Sequence, residues 1–375
     1  MKGAFDLKIC HVTSSHNRYD GRIFQKECTS LAKKYEVYLL CADDKPDEII
    51  NNVIFRSINF KPKSRYDRFF KVMKKIYIKA LELDCDIYHL HDPELLNIAL
   101  KLKKRGKKVI FDSHEDYPNC ISEREWIPKP FRKIISRLYS IKEKRVLKRI
   151  DGIITITPAV NERIKKINKN TVMVTNFPIL SNIDKSKDLK IKKNEDIMCF
   201  AGGISSQWMH HNIIKAIHNI NITYVLAGDN NSKYFESLKE IEGFEKVDAI
   251  GKISKEEVKN LYRKSNIGIA LNDYVANVGY HEGSLGNTKV FEYMDAGLPV
   301  IATDFKLWKP IIEDNKCGIC VNPNNISEIH DAIKYLINNS KEAQKMGENG
   351  RKLVEKKYNW STQEKILFDL YEVLK

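Results

Sequence analysis

The feature that most constrains this chain is a regular alternation of short apolar runs with longer amphipathic segments. In the first half, runs of strand length are separated by segments with helical spacing at 21–34, 93–104 and 130–149. Such an alternation predicts a parallel sheet whose strands are joined by right-handed helical crossovers. The predicted strands are 7–12, 37–41, 87–90, 108–111 and 152–156.

The same alternation begins again in the second half of the chain. Helical segments at 255–264 and 288–296 lie between further apolar runs, whereas 179–196 is polar and rich in lysine, as expected for a linker. A chain of 375 residues is long enough for two domains. Two doubly wound domains in tandem predict a ligand site in the crevice that faces the carboxyl ends of both sheets. The predicted strands are 197–201, 223–227, 246–250, 267–271, 300–302 and 318–321, and the last predicted helix is 361–374.

The apolar runs also bear on the compartment. They are too short to cross a bilayer, which needs roughly 18 to 20 apolar residues. The first six residues lead directly into a strand pattern and lack the apolar region of a signal peptide, so we expect a cytoplasmic protein. The eight cysteines are scattered, and Cys317 and Cys320 have no second pair that would complete a zinc site. We interpret this pair as structural.

The formal net charge is +15, and much of it lies in two segments, 61–75 and 121–150, that also contain aromatic residues. Basic amphipathic segments suit an anionic membrane surface, so we predict peripheral attachment at the inner face of the membrane. Solvated helix faces of a lysine-rich chain are the alternative. Because no nucleic-acid-binding motif accompanies the charge, a nucleic-acid partner is not expected. The aromatic residues are Tyr66, Phe69, Phe70, Trp126, Phe131 and Tyr139.

The turns after the first strand of each half differ. Residues 13–18 read Thr-Ser-Ser-His-Asn-Arg, so the glycine-rich fingerprint of a dinucleotide-binding oxidoreductase is absent there. In the second half, Gly202 and Gly203 follow the first strand, where a glycine turn lets the backbone approach a phosphate. On its own, this turn is weak evidence for phosphate binding.

A helical segment later in the second half gives a stronger signal. Asn287 or Thr288 can cap a helix that Gly297 ends. The free N–H groups at such a helix start stabilise phosphate, and Lys289 adds positive charge in the first turn. Glu292 lies one turn later on the same face, where a carboxylate can accept both hydroxyls of a ribose. The alternative is a surface helix on which Lys289 and Glu292 form an ion pair.

Residues 289–302 contain the pattern K-x-F-E-Y-M-x-A-G-x-P-V-I and resemble the nucleotide-binding signature of glycosyltransferase family 4 and its GT-B relatives. The resemblance covers nearly the whole chain, because further segments match the family in order. So many ordered matches are more specific than any one motif. The further segments are 11–28, 86–92, 112–115, 151–157 and 251–258.

The resemblance implies a GT-B fold, in which two Rossmann-like domains face a central cleft. Residues 1–180 would bind the acceptor, with the terminal helix 359–375 crossing back onto them, and residues 185–358 would bind the nucleotide sugar. The implied reaction transfers a sugar from a nucleoside diphosphate sugar to an acceptor hydroxyl with retention of the anomeric configuration. The nucleotide sugar is a co-substrate, and neither a cofactor nor a metal ion is expected. Bacterial enzymes of this kind commonly extend lipid-linked saccharides for surface polysaccharides.

The resemblance also implies roles for individual residues. Glu292 would bind the ribose of the donor, and Lys289 with the helix start at 287–288 would face the diphosphate. Gly203, with Gly202 before it, would let the backbone close on that diphosphate. His114, at the end of a strand in the first domain, would lie beside the reacting carbon of the sugar.

Two departures from the family pattern leave contacts unassigned. Ser284 stands where the family has the first glutamate of a Glu-x7-Glu pair, and both Ser284 and Glu282 are candidates to contact the donor sugar. An arginine that commonly follows the glycine turn is also absent, because residues 208–211 are Trp-Met-His-His. His210 or Lys252 is the candidate to neutralise the diphosphate in its place.

On the acceptor side, His91 and Asp92 end a predicted strand and, with His16, are candidates to contact the acceptor. His89 lies two residues before His91, so both point to the same face of the sheet, and we interpret His89 as a core histidine. The pair at 210–211 lacks a carboxylate cluster, so no metal site is predicted there.

Three other functions stay open. A nucleotide-sugar 2-epimerase of the same fold works by elimination and re-addition, and needs acid/base carboxylates in the cleft. A non-catalytic subunit that binds a sugar nucleotide is suggested by the serine at position 284. A nucleic-acid-binding protein would use the charge alone and would bind with a steep dependence on salt.

Overall fold

The chain forms two compact units. The first comprises Met1–Asn176 together with Trp360–Lys375, and the second comprises Phe177–Asn359. Most of the predicted linker, residues 182–194, lies outside the described residues. The computed structural model describes residues 7–64, 66–123, 127–181, 195–275 and 278–375.

Within the described residues, the first unit contains an eight-stranded sheet. Its strands are β1 (Lys8–Thr13), β2 (Glu36–Cys41), β3 (Glu48–Ile50), β4 (Val53–Ser57), β5 (Ile87–Leu90), β6 (Lys108–Ser113), β7 (Gly152–Thr155) and β8 (Thr171–Met173). They lie in the order β3-β4-β2-β1-β5-β6-β7-β8, and each neighbouring pair is parallel except β3 with β4. Five of the six residues of β1 are buried, as expected for a strand covered on both faces.

Helices cover both faces of this sheet. Since successive residues of a strand point to opposite faces, each strand contributes side chains to two separate cores. Val12 of β1 packs in one core with the helices Met73–Leu83 and Leu96–Lys104, whereas Ile9 packs in the other core with Trp360–Leu374. The helical segments of this unit are Ile23–Cys28 and Asp67–Val72 (both π-helical), Thr29–Leu31, Met73–Leu83, Pro93–Leu95 (3-10), Leu96–Lys104, Tyr117–Glu123, Lys129–Leu147, Pro158–Lys165 and Trp360–Leu374.

The second unit contains a six-stranded sheet within the described residues, and all of its neighbouring strands are parallel. Its strands are β9 (Ile197–Ala201), β10 (Thr223–Ala227), β11 (Val247–Gly251), β12 (Ile267–Ala270), β13 (Val300–Thr303) and β14 (Gly318–Val321). Their order is β11-β10-β9-β12-β13-β14. The chain first moves outward from β9 to β11 and then returns to β12 on the other side of β9. Ligands of doubly wound sheets bind at the carboxyl end of such a switch point.

The helices of the second unit follow local signals in the sequence. Ser254, for example, caps the helix Lys255–Lys264 in a capping box, because it exchanges backbone and side-chain hydrogen bonds with Glu257. None of the described helices of the whole chain is long and apolar enough to cross a membrane. The helical segments are Ser206–Trp208, Phe244–Lys246 and Tyr280–Glu282 (all 3-10), His210–Ile217, Lys233–Leu238, Lys255–Lys264, Lys289–Asp295, Lys309–Ile312, Ile326–Asn338 and Ser340–Lys356.

The alternation of strands and helices is confirmed, and four of the predicted strands, β5, β9, β10 and β14, have the predicted bounds. The short strands β3, β4 and β8 were missed. The helix predicted at 21–34 is instead a π-helical turn followed by the short helix Thr29–Leu31. The carboxylate of Asp20 accepts the backbone N–H groups of Arg22 and Ile23, so this carboxylate fixes where the turn begins.

The terminal helix Trp360–Leu374 belongs to the first unit, as the resemblance implied. Trp360 Nε1 donates to Ser30 Oγ at 2.9 Å, and Gln363 Oε1 accepts the backbone N–H of Thr175 at 2.8 Å. Tyr371 of this helix is completely buried against the sheet. The helix therefore forms apolar and polar contacts with the other residues of the first unit, which lie far from it in the sequence.

Candidate functional site

Lys289 lies next to the turn that follows β9. Its Nζ donates to the carbonyl oxygen of Ala201 at 2.5 Å. The same Nζ lies 4.8 Å and 5.1 Å from the ring centroids of Phe200 and Trp208. Burial lowers the pKa of Lys289, while the charge of Glu292 acts in the opposite direction. The ammonium is therefore held in a largely apolar environment at the carboxyl end of an interior strand.

Glu292 lies one helical turn after Lys289, but among the described residues no ion pair joins their side chains. Its Oε1 accepts the hydroxyl of Thr288 at 2.8 Å, and its Oε2 lies 3.4 Å from the hydroxyl of Tyr262. The structure thus shows a different arrangement from the surface pair that was the alternative interpretation. An ionised carboxylate has about four acceptor positions, so Glu292 can still accept the hydroxyls of a ligand.

The start of the helix is organised by Asn287 rather than by Thr288. Asn287 Oδ1 accepts the backbone N–H of Lys289 at 3.2 Å, and its Nδ2 donates to Asn272 Oδ1 at 2.7 Å. Thr288 occupies the N-cap position without a capping bond, because its hydroxyl donates to Glu292. The helix has only seven residues, so Lys289 is a stronger candidate for contact with phosphate than the helix start itself.

Glycine at the turn after β9 keeps the backbone accessible. A Cβ on Gly202 would meet the ammonium of Lys289, whereas a Cβ on Gly203 would have no atom within 4 Å. The neighbouring strand β10 is followed by Gly228, where a Cβ would meet the carbonyl oxygen of Gly202. Gly202 and Gly228 are therefore required by packing, and Gly203 borders open space that a ligand can approach.

The two candidates to neutralise the diphosphate differ in charge. Lys252 follows β11, is 75% exposed and forms an ion pair with Asp229, with Nζ and Oδ2 2.7 Å apart. His210 is completely buried, and its Nδ1 is hydrogen-bonded to the hydroxyl of Tyr224 at 2.9 Å. Burial lowers the pKa of His210 to about 3, so it is uncharged at neutral pH. The suggestion that His210 neutralises a diphosphate is therefore wrong, and Lys252 stays a candidate.

The two residues suggested for contact with the donor sugar, Glu282 and Ser284, form contacts with neighbouring residues of the second unit. Glu282 is exposed and forms an ion pair with Lys306, with Nζ and Oε1 2.6 Å apart. Ser284 Oγ accepts the N–H of Gly286 at 3.0 Å, and its carbonyl oxygen accepts Nε1 of Trp308 at 2.9 Å. To bind a sugar hydroxyl, the Glu282 carboxylate must either accept it in addition to Lys306 or give up its ion pair with Lys306.

In the first unit, His114 directly follows β6, and its side chain is 12% exposed. Its Nε2 lies 3.0 Å from Asp112 Oδ2 and 3.3 Å from Nδ1 of His91, and its ring centroid lies 4.9 Å from that of His16. Among the described residues, Nδ1 of His114 has no hydrogen-bond partner. His114 is thus held through one ring nitrogen, and the other is free.

A buried polar cluster extends from His114 to the terminal helix. Nδ1 of His11 lies 2.9 Å from Nε2 of His91, and Nδ1 of His89 lies 2.9 Å from the hydroxyl of Tyr371. The prediction that His89 is a core histidine is confirmed, because neither it nor its three neighbours in the cluster has exposed surface. Burial lowers the pKa of all three buried histidines, that of His91 to about 4, so they are neutral.

Arg22 is the cation of this cluster. Its Nε and Nη2 donate to Asp112 at 2.9 Å and 3.1 Å, and its Nη1 donates to the carbonyl oxygen of Val174 at 2.9 Å. Burial would raise the pKa of Asp112, but the charge of Arg22 holds it well below its usual value. Glu27 lies 3.0 Å from Nη2 of Arg22, and burial raises the pKa of its carboxyl group well above the usual value, although the charge of Arg22 acts in the opposite direction.

Two residues predicted to contact the acceptor are buried instead. His91 has no exposed surface, and Asp92 is 1% exposed and accepts the N–H of Ser14 at 2.6 Å. The predicted contacts of His91 and Asp92 are therefore wrong, because both side chains are used inside the unit. His16 has a side chain that is 29% exposed and stays a candidate. Burial opposes protonation of His16, but Asp20 and Asp92 outweigh it and raise its pKa.

Two groups of described residues have the donor types and spacing of a metal site. They are His11, Glu27, His89 and His91, and His91, Asp112 and His114. The facing nitrogens of His11 and His91 are already hydrogen-bonded to each other, and Arg22 places a positive charge beside both carboxyl groups. Since a divalent ion would have to displace these contacts, we interpret both groups as one hydrogen-bonded network.

Comparison with known proteins identifies the family. Residues 6–176 match the family described as Glycosyltransferase Family 4, and residues 181–353 match Glycosyl transferases group 1. Together the two matches span nearly all of both units. The chain therefore belongs to the GT-B glycosyltransferases of the family 4 type.

Several relatives accompany this assignment. Solved structures of the same fold include a sucrose-phosphate synthase of Thermosynechococcus elongatus, which is 16% identical with a TM-score of 0.74 over 98% of this chain and 99% of that one. Anabaena HepE in complex with UDP and glucose is 13% identical, with a TM-score of 0.72 over 98% and 100%. An uncharacterized glycosyltransferase of Methanocaldococcus jannaschii is 26% identical over 214 residues, and the match spans 56% of each chain.

Proposed function

We propose that this chain is a retaining glycosyltransferase that moves a sugar from a nucleoside diphosphate sugar to an acceptor hydroxyl. The second unit binds the nucleotide through Lys289 and Glu292, and the first unit supplies His114 to the reacting sugar. HepE, which shares the fold, has been solved with UDP-glucose. We therefore propose a UDP-sugar as the donor of this chain.

In the proposed reaction, the acceptor oxygen attacks the anomeric carbon from the face on which the phosphate leaves. The bond between that carbon and the phosphate oxygen breaks, and the hydroxyl proton passes to the departing phosphate. The configuration is retained without the pair of carboxylates that a retaining glycosidase uses. Negative charge grows on the leaving diphosphate, so the main contribution of the protein is a fixed positive charge near it.

The observation that supports this proposal most directly is the environment of Lys289. Among the described residues, no carboxylate lies within ion-pair distance of its ammonium. Burial also lowers the pKa of Lys289, which shows that its charged form is not fully compensated by neighbouring groups. Burying an unpaired cation is costly, and a diphosphate beside Gly203 would supply the missing negative charge. Glu292, held by Thr288 and Tyr262 one turn away, then has its free acceptor positions for the ribose.

Thermal-shift measurements test the donor half of this proposal. A ligand that binds only the folded chain raises its melting temperature, so UDP and one UDP-sugar should stabilise the protein more than uridine does. In Lys289→Ala, the stabilisation by UDP should fall far more than the stabilisation by uridine, because only the diphosphate loses its cation. Lys239→Ala, which removes an exposed lysine paired with Glu236, is the matched control.

Other outcomes point to other functions. An equal loss for uridine and UDP in Lys289→Ala would mean that the lysine acts through packing. Isomerisation of a UDP-sugar without any acceptor would favour the 2-epimerase. Donor binding without turnover on a panel of saccharide acceptors would favour a non-catalytic subunit.

We also propose that the first unit attaches to an anionic membrane surface and that the acceptor is a lipid-linked saccharide for a bacterial surface polysaccharide. The helix Lys129–Leu147 exposes an apolar stripe with helical spacing, its residues 40% to 62% exposed, beside exposed basic residues. Trp126, one of the aromatic residues of the basic segment 121–150, lies outside the described residues. The stripe comprises Phe131, Ile134, Ile135, Leu138 and Ile141, and the exposed basic residues include Lys133, Arg137, Lys144 and Arg145.

Co-sedimentation with vesicles tests this attachment. The protein should bind vesicles of anionic lipid more than neutral ones, and less at high salt, since each basic residue contributes about 1 kcal/mol within a Debye length of ~10 Å. Replacing Leu138 and Ile141 together by serine should weaken binding, whereas Val373→Ser, which removes a residue 74% exposed on the terminal helix, should not. Equal binding to both lipids, or none, would refute the proposal. A change from dimer to monomer in the double variant would indicate that the stripe joins two copies.

A further inference from the structure

The arrangement around His114 determines where its ring proton lies. Asp112 Oδ2 accepts Nε of Arg22 at 2.9 Å and lies 3.0 Å from Nε2 of His114. The Arg22 charge keeps the pKa of Asp112 low, so the group that faces His114 is a carboxylate, which only accepts hydrogen bonds. Two acceptors at 3.0 Å would repel each other. Nε2 of His114 must therefore carry a proton.

The rest of the buried cluster is compatible with this proton. Nδ1 of His91 lies 3.3 Å from Nε2 of His114 and 3.5 Å from Oδ2 of Asp112. With its proton on Nε2, His91 donates to Nδ1 of His11 at 2.9 Å, and its Nδ1 accepts from Nε2 of His114 at 3.3 Å. His11 then carries its proton on Nε2, which lies 3.4 Å from the hydroxyl of Tyr371. The opposite orientation would place two N–H groups, on Nδ1 of His91 and Nε2 of His114, 3.3 Å apart, and they would repel each other. Neutral histidines therefore satisfy these contacts with the proton of His114 on Nε2.

We propose that Asp112 is a positioning residue that fixes the tautomer of His114, so that Nδ1 is the unprotonated nitrogen offered to the reacting sugar. The inference rests on the proposed function, because it assigns the atom through which His114 would act. Asp112 itself touches no ligand, since its side chain has no exposed surface. It acts through His114, as the buried aspartate of a serine-protease triad acts through its histidine.

Arg22 holds the Asp112 carboxylate in the orientation in which it meets His114. Its two hydrogen bonds to Asp112 occupy one position on each carboxylate oxygen and orient the carboxylate plane. Its third bond, to the carbonyl oxygen of Val174, ties the guanidinium to the chain just after β8. The position of Nε2 of His114 is therefore determined by three separate segments of the first unit.

Nitrogen-15 NMR of the wild-type protein labelled at histidine tests the tautomer directly. The His114 resonances, assigned by their loss in His114→Gln, should show a protonated Nε2 and an unprotonated Nδ1. A proton on Nδ1 in the wild-type protein would overturn the inference. This measurement needs no substitution at Asp112, so it stands even if variants at that buried position fold poorly.

Asp112→Asn tests the consequence for turnover. The amide can donate to Nε2 of His114, so the ring proton should move to Nδ1 and kcat should fall by about 10²- to 10⁴-fold, with the affinity for UDP unchanged. Asp151→Asn is the matched control, because Asp151 is likewise paired with a cation of this unit, Lys103, and accepts the backbone N–H of Val109, but it lies at the opposite end of β6.

The two levels of the proposal fail in different ways. Wild-type turnover in His114→Gln would remove His114 from the proposed function, whatever its tautomer. Loss of turnover in His114→Gln together with wild-type kcat in Asp112→Asn would overturn only the positioning role. A reduced kcat in Asp112→Asn with the proton still on Nε2 would also overturn it, because the effect would then be structural.

Discussion

His114→Ala is expected to lower kcat by about 10²-fold or more, and to leave the affinity for UDP or GDP nearly unchanged. The reason is the division of roles between the units. The residues proposed to hold the nucleotide, Lys289 and Glu292, belong to the second unit, whereas His114 belongs to the first. Losing a group that acts on the reacting sugar reduces turnover without reducing nucleotide capture. Steady-state kinetics together with calorimetry separate the two effects.

The control for His114→Ala has to exclude a loss of folding. The His114 side chain is 12% exposed and contacts buried groups, so its removal is expected to cost some stability, which thermal unfolding measures. His330→Ala is a suitable comparison, since His330 is hydrogen-bonded through Nδ1 to the carbonyl oxygen of Ala216 in the second unit. Wild-type turnover in a folded His114→Ala protein would contradict the catalytic assignment.

The parts of the fold that the sequence predicts are those with local signals. Strands such as β9 and β10 are uniform apolar runs, and the helix Lys255–Lys264 has its own capping residue. The missed strands β3 and β4 are joined by Asn51 and Asn52, whose φ angles of 53° and 62° form a two-residue turn. Asparagine tolerates this left-handed conformation, but two asparagines indicate a hairpin less clearly than Asn-Gly does.

The residues proposed to bind the donor could be selected from the sequence because they lie in one contiguous motif. Their mutual contacts could not. Spacing alone left an ion pair between Lys289 and Glu292 open as an alternative, yet the lysine reaches the carbonyl oxygen of Ala201, 88 residues earlier. Helical spacing shows which side chains are neighbours on one helix, and it contains no information about the strand on which that helix packs.

The polar network of the first unit was harder to predict, because it joins segments that are distant in the sequence. Arg22 and Asp112 are 90 residues apart, and His89 and Tyr371 are 282 apart. A position at the end of a strand does not show whether a side chain faces solvent, so His91 was assigned to the acceptor although it is buried. The sequence did contain one indication that His91 is buried. Residues 87, 89 and 91 alternate along β5 and the position directly after it, and so point to the same face as Ile87, an apolar residue that is buried.

Glu292→Ala is expected to weaken the binding of UDP or GDP by about 2 to 4 kcal/mol, which is roughly a 30- to 900-fold rise in Kd. The carboxylate is held by the hydroxyls of Thr288 and Tyr262, so it does not have to be ordered when a ribose binds. Two charge-assisted hydrogen bonds to a pre-positioned acceptor give the upper part of this range. Calorimetry with UDP, GDP and the free nucleosides measures the change, and the nucleosides should lose as much as the diphosphates.

Two comparison variants decide what a loss of affinity in Glu292→Ala means. Glu256→Ala removes an exposed carboxylate on another helix of the same unit, paired with Lys259 at 3.6 Å, and should leave Kd unchanged. Thr288→Val keeps the Glu292 carboxylate but removes one of the hydroxyls that hold it, so its effect should be smaller, within about 1.5 kcal/mol. If Glu292→Ala folds and binds UDP as the wild type does, then Glu292 does not contact the ribose. A larger loss in Thr288→Val than in Glu292→Ala would instead place the critical contact at the helix start, and the motif would bind its ligand through the backbone around Asn287.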